Sequence, residues 1–140
     1  MCLAKWVKGV KDYSVLPLRL ALGSVFIAHG YQKLTSIGVA NFAGMLSPLG
    51  GAALLFAWIV TLIELLGGIA VLVGFGTRYA AAGIAAVMIG AISIVHLPNG
   101  FLGQGGYEFP LTLLLVALTL VVIGAGKVLN LETKLLRKEL

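Results

Sequence analysis

An all-α integral membrane protein, a four-helix bundle, is the fold this sequence predicts. Three observations carry that reading. Apolar residues make up 60% of the 140 positions and charged residues only 11%, whereas a soluble domain averages about 25% charged. Mean hydropathy is +1.08. The apolar residues also gather into four stretches, at about 15–34, 52–75, 79–97 and 110–125. Crossing a hydrocarbon core of ~30 Å takes roughly 20 helical residues. A water-soluble bundle of the same helices is disfavoured because they would be apolar all round, with no face for water. The connecting segments are too short for a second folded unit, so residues 1–140 form a single membrane domain.

In residues 2–12, Leu3, Trp6, Val7 and Val10 share a helical stripe while Lys5, Lys8, Lys11 and Asp12 lie off it. A basic face opposite a tryptophan suits an interfacial helix in the headgroup layer. The first span opens with Pro17 in its first turn, where a missing N–H does no harm. It carries Arg19, His29, Gln32 and Lys33, and no small-x-small cleavage site comes after it, so it reads as an uncleaved anchor. Residues 35–51 are punctuated by Ser36, Gly38, Asn41, Ser47, Pro48, Gly50 and Gly51. Within them Ile37, Phe42, Met45 and Leu46 fit a short amphipathic helix lying on the membrane. The second span holds Glu64 near its middle, and Gly76-Thr77 makes the turn into the third. There Ala82, Ala86 and Gly90 recur every four residues, a spacing that lets another helix approach closely. A glycine-rich loop from Pro98 to Phe109 precedes the fourth span, which carries no charge. Its roughly 16 residues make ~24 Å, short but tolerable with local thinning of the bilayer. Residues 127–140 form a basic tail.

The net charge is +5 and the pI about 9.6. Its distribution points to lipid rather than nucleic acid, because the cations flank the spans. Four spans put Lys5, Lys8, Lys11, Arg78, Lys127, Lys134, Arg137 and Lys138 on one side and Lys33 alone on the other. The positive-inside rule then places both termini in the cytoplasm. The single cysteine, Cys2, excludes an internal disulfide or a Cys-x-x-Cys redox pair.

Ionisable groups inside spans are costly and usually face partners or a cavity. On an ideal helix Arg19, Gly23, Phe26, Gly30 and Lys33 share a face, with His29 beside them. Glu64, Gly67, Gly68 and Val71 form a second stripe. The spacing predicts that Glu64 points inward and meets a donor from the first span. Arg19 matches in charge, although about two helical turns separate them in depth, and His29 is nearer. A polar column could then run through the interior. Structural pairing of Arg19 with Glu64, snorkelling of Lys33 at the boundary, and a topological role for Arg78 are the plain alternatives. His96 and Glu108 reach the outer boundary, with Asn99, Gln104 and Tyr107 around them. Together Arg19, His29, Lys33, Glu64, His96 and Glu108 are the candidate binding residues, supported by Gly30, Gln32, Gly67, Gly68, Asn99, Gln104 and Tyr107. No metal is expected, since no helical His-x-x-His or His-x-x-x-His spacing occurs.

At these residues the sequence resembles the DoxX family of small four-span bacterial membrane proteins, over roughly residues 15–130. The resemblance rests on Leu18-Arg19-Leu20, His29-Gly30-Tyr31-Gln32-Lys33-Leu34, Glu64-Leu65-Leu66-Gly67-Gly68 and Gly76-Thr77-Arg78-Tyr79. It continues through His96-Leu97-Pro98-Asn99-Gly100-Phe101 and Gly105-Gly106-Tyr107-Glu108-Phe109-Pro110. It implies a compact bundle in the bacterial inner membrane. Some members are linked to sulfur oxidation with quinone as acceptor, others to membrane oxidoreductase complexes and oxidative-stress defence. Members often close with a Ser-Leu-Asp-like stretch, where this chain has Lys127-Val128-Leu129-Asn130.

Three functions compete. One is an accessory subunit of a quinone-linked redox system, with quinone as ligand and an oxidoreductase partner supplying electrons, because no residue here stores them. The second is a non-catalytic scaffold or assembly factor. The third is a small transporter or proton conduit along Arg19, Glu64 and His29, which would need a homo-oligomer to form a pore.

Overall fold

The structure is a computed structural model, and it describes residues 13–136. The expected interfacial helix at 2–12 lies outside the described residues. Among those described the chain is all-α. Helix α1 (Leu16–Gln32) runs into a π-helical turn, Lys33–Ile37. A short helix, α2 (Val39–Met45), and a 3-10 segment, Ser47–Ala52, lead into α3 (Ala53–Val73). Helix α4 (Thr77–Ala91) likewise ends in a π-helical turn, Ile92–His96, continued by Leu97–Asn99. Helix α5 (Glu108–Ile123) and the short α6 (Leu131–Leu136) complete the fold.

Two helical runs, Ser47–Val73 and Thr77–Asn99, are long and apolar enough to cross a membrane, and Glu108–Ile123 is apolar but shorter. The burial pattern is that of a chain solvated by lipid. Leu54, Leu55, Phe56, Trp58, Ile59, Leu62, Leu66 and Ile69 on α3 face outward, while Arg19, Lys33, Thr61 and Glu64 lie inside. Water would reverse that arrangement, since uncovered apolar area costs about 25 cal/mol per Å².

Helices α1 and α3 pack backbone to backbone, and glycines permit it. A methyl group on Gly30 would lie 2.7 Å from the Leu65 backbone nitrogen, and one on Gly68 2.8 Å from that of Ile27. Gly67, one position before Gly68, faces α4 instead, against Ile84. Helix α4 packs between α3 and α5, and Leu22, Phe26, Val71, Ile84, Ala117 and Leu120 fill the centre. The turn from α3 to α4 closes on Gly74 (φ 74°) and Gly76 (φ 54°), left-handed positions that cost L side chains 1–2 kcal/mol or so.

Candidate functional site

Glu64 lies on the α3 stripe of Ala57, Thr61, Gly68 and Val71, all buried. Its partner is Lys33, the first residue of the π-helical turn. Lys33 Nζ lies 2.5 Å from Glu64 Oε2, and the two side chains are only 10% and 4% exposed. The same ammonium sits 4.7 Å from the centre of the Phe42 ring on α2. That ring position adds a cation–π attraction of about 0.5–2 kcal/mol. The close α1–α3 approach at Gly30, one turn before Lys33, brings the long lysine stem within reach. The π-helical turn then leads through Gly38 into α2, and π-bulges are frequent at functional positions.

Arg19 does something else. Its guanidinium donates five hydrogen bonds, every one to a backbone carbonyl. Nε bonds Val71 O at 2.9 Å, and Nη2 bonds Leu72 O and Leu129 O at 2.8 Å each. Nη1 bonds Ala125 O at 3.0 Å and Val128 O at 2.8 Å. The last carbonyls of a helix have no partner within it, and unpaired backbone groups in lipid cost several kcal/mol. Arg19 therefore ties the end of α3 to the chain beyond α5. Gly74 makes room, because a Cβ there would sit 2.6 Å from Arg19 Nη2.

This corrects the expected donor. Neither Arg19 nor His29 meets Glu64. The carbonyls bonded by Arg19 lie seven to eight residues along α3 from Glu64, a gap of ~11 Å at 1.5 Å per residue. His29 is exposed on the outer surface of α1, as is Gln32. Lys33, expected also as a boundary anchor, is buried. The polar column through Arg19, Glu64 and His29 does not form.

A second cluster lies at the opposite end of α4. His96 closes its π-helical turn, with Nδ1 2.7 Å from Gly105 O. A carbonyl only accepts, so Nδ1–H donates and, in the neutral ring, Nε2 keeps its lone pair. Asn99 Nδ2 donates to the same carbonyl at 3.1 Å. Tyr107 N bonds Gly100 O at 3.1 Å and Glu108 N bonds Phe101 O at 3.2 Å, folding the loop back on itself. The Phe101 and Tyr107 rings meet edge to face at 5.2 Å. Glu108 begins α5, where the helix dipole favours its charge. Gln104 is exposed.

Phe42 is the site residue that sequence reasoning did not single out. Its signal was present: an aromatic in an amphipathic segment a few residues beyond a lysine. The loop helix that carries it packs on α3.

The buried lysine–glutamate pair beside an aromatic ring and the bonded His-Leu-Pro-Asn-Gly turn lie on stretches through which the sequence resembles its family. The DoxX family pattern matches residues 14–97. The chain belongs to the DoxX family. This DoxX protein is 33% identical over 115 residues to a Bacillus subtilis protein named "Putative oxidoreductase CatD", covering 81% of each chain. It is 37% identical over 101 residues to "Uncharacterized membrane protein Rv3486" of Mycobacterium tuberculosis, covering 67% of this chain and 60% of that one. No solved structure matches. DoxX membership and the membrane-protein relative agree with the outward-facing apolar helices.

Proposed function

We propose that this DoxX protein is an accessory subunit of a quinone-linked redox system in the bacterial inner membrane, with four spans and both termini cytoplasmic. The observation that carries the reading is the Lys33–Glu64 pair beneath Phe42. An ionised pair held inside a small lipid-solvated bundle is costly, and a proton-handling role gives it a use. His96 supplies the complementary group. With Nδ1–H committed to Gly105, its Nε2 can accept a hydroxyl proton from a quinol headgroup. An acceptor at this turn suits the hydroxyl of such a headgroup. A bound quinone would supply the two-electron chemistry. The chain's own residues hold and orient: His96 accepts, Asn99 fixes the Gly105 carbonyl that orients the ring, and Lys33 and Glu64 provide a protonatable pair. The oxidoreductase name of the Bacillus relative supports a redox setting, and electrons must come from a partner.

Native mass spectrometry from gentle detergent tests this. Co-purified quinol or its oxidised quinone, lost in His96→Ala while the protein stays folded, with the reduced form retained more tightly, is the expected result. Protein that neither carries quinone nor gains thermal stability when quinone is added would overturn it. The scaffold reading is favoured by one observation: Ala82 and Ala86 on α4 are exposed, so the small-residue face is open to another helix. It expects a stoichiometric partner, with no effect of His96→Ala.

A further inference from the structure

Two polar side chains on α1 face away from the bundle. Gly23, Phe26 and Gly30 are buried and form the side of α1 that packs inward, whereas Ala21, Ser24, Ala28, His29 and Gln32 are exposed. Their depth follows from Gly30, which stands against the Leu65 backbone of α3. Leu65 lies about 18 Å from the Ala53 end of α3 and about 12 Å from the Val73 end, at 1.5 Å per residue. His29 and Gln32, on either side of Gly30 in the chain, therefore sit well inside a hydrocarbon core of ~30 Å. From that depth neither side chain is long enough to reach water. Ser24, Ser93, Thr112 and Thr119 are exposed too, but each hydroxyl donates to the carbonyl four residues earlier, at 2.6, 2.8, 2.9 and 2.8 Å. The His29 ring and the Gln32 amide make no hydrogen bond among the described residues. Polar groups held at such depth normally find their partner on another helix.

We propose that this outer face of α1 is the contact between two copies of the chain, with His29 and Gln32 hydrogen-bonding across a two-fold axis normal to the membrane. All copies insert with one orientation, so around that axis each residue meets its counterpart at the same depth. Such a contact must complement itself. A carboxylate or an ammonium there would repel its own copy. The neutral histidine ring carries one N–H and one lone pair, and the glutamine amide carries two donors and an acceptor. Each can pair with its own counterpart or with the other. Ala21, Ser24 and Ala28 leave the axis clear, since small side chains let two helices approach closely. The outward side of α3 has no such groups: Leu55, Leu62, Leu66 and Ile69 suit acyl chains. The pairing does not depend on the quinol contact at His96.

Cross-linking of the full chain in native membranes tests this. With Cys2→Ser as background, Ala28→Cys should form a disulfide-linked dimer on oxidation, and Leu62→Cys, on the outward side of α3, should not. Native mass spectrometry from gentle detergent gives the second reading. The parent should be dimeric, and His29→Leu with Gln32→Leu should raise the dissociation constant about tenfold. Ala28→Leu should weaken the dimer by bulk alone. A chain that is monomeric in both measurements overturns the proposal. So does equal cross-linking of Ala28→Cys and Leu62→Cys, which random collision would give. An Ala28→Cys cross-link to a different polypeptide overturns it, as does a quinone or lipid retained by the monomer and lost in Gln32→Leu, since either gives the face to another occupant. A dimer of unchanged strength in the double variant overturns it as well. Should the double variant fail to fold, Ala28→Cys and Ala28→Leu decide.

Discussion

Lys33 and Glu64 stabilise the bundle only as a couple. Removing one leaves the other charged and buried, a loss of about 3–5 kcal/mol, whereas replacing both with apolar groups is often close to neutral. Glu64→Leu alone should therefore unfold the protein at markedly lower denaturant or temperature. Lys33→Met with Glu64→Leu should recover most of that loss. A double-mutant cycle read by thermal unfolding in detergent measures the coupling. Additive single effects would show that the contact carries no energy. Arg19 obeys a different rule, because its five acceptors are carbonyls at fixed positions. Arg19→Lys keeps the charge but offers three donors, so at least two carbonyls lose their bond. The expected result is a loss of several kcal/mol and poor recovery of monodisperse protein; a variant as stable as the parent would contradict the tie. Much of this was legible in the sequence, but not the pairing. The inward turn of Glu64 and a donor from the first span are consequences of cost in lipid. Which donor is not, because Arg19's partners are backbone atoms that no sequence pattern displays. Counting along an ideal helix puts Lys33 at the boundary, and its reach to Glu64 depends on a long stem and the close approach at Gly30.

Helix packing rests on glycines whose roles differ by face. Gly30→Ala forces Cβ to within 2.7 Å of the Leu65 backbone, which must move. Overpacking of this kind costs about 1–3 kcal/mol. Because Lys33 comes one turn later, the displaced α1 should also weaken its bond to Glu64. Gly90→Ala is the control, since a Cβ there meets nothing within 4 Å. In a helix interior it should be neutral or stabilising by up to ~1 kcal/mol. Thermal unfolding of the two variants side by side separates them, and equal losses would rule out glycine-limited packing between α1 and α3. The glycine stripes were readable as spacing. The π-helical turns at Lys33–Ile37 and Ile92–His96 were not. One extra residue in a turn leaves no mark on periodicity, and packing against neighbouring elements decides where it goes. Helix α2 was foreshadowed by Ile37, Phe42, Met45 and Leu46, but its placement over Lys33 required the fold.

For the molecule as a whole, the ion pair sharpens the charge asymmetry. Lys33, the lone basic residue assigned to the outer side, is buried against Glu64. Arg19 is likewise enclosed. Neither is free to act as a surface anchor, so in the proposed four-span arrangement the asymmetry rests on eight flanking cations on the side of the termini and none opposite. The positive-inside rule then predicts a strong preference for both termini in the cytoplasm. Cysteine labelling tests this directly after Cys2→Ser removes the native thiol. A cysteine at Gln104, in the exposed glycine-rich loop, should react with a membrane-impermeant maleimide in intact cells. One at Lys134, in α6, should react only after the membrane is opened. The reverse pattern would invert the protein, and labelling of both from outside would require an odd number of spans. The reverse pattern would also turn the His96 loop, and the quinol contact proposed for it, toward the cytoplasm.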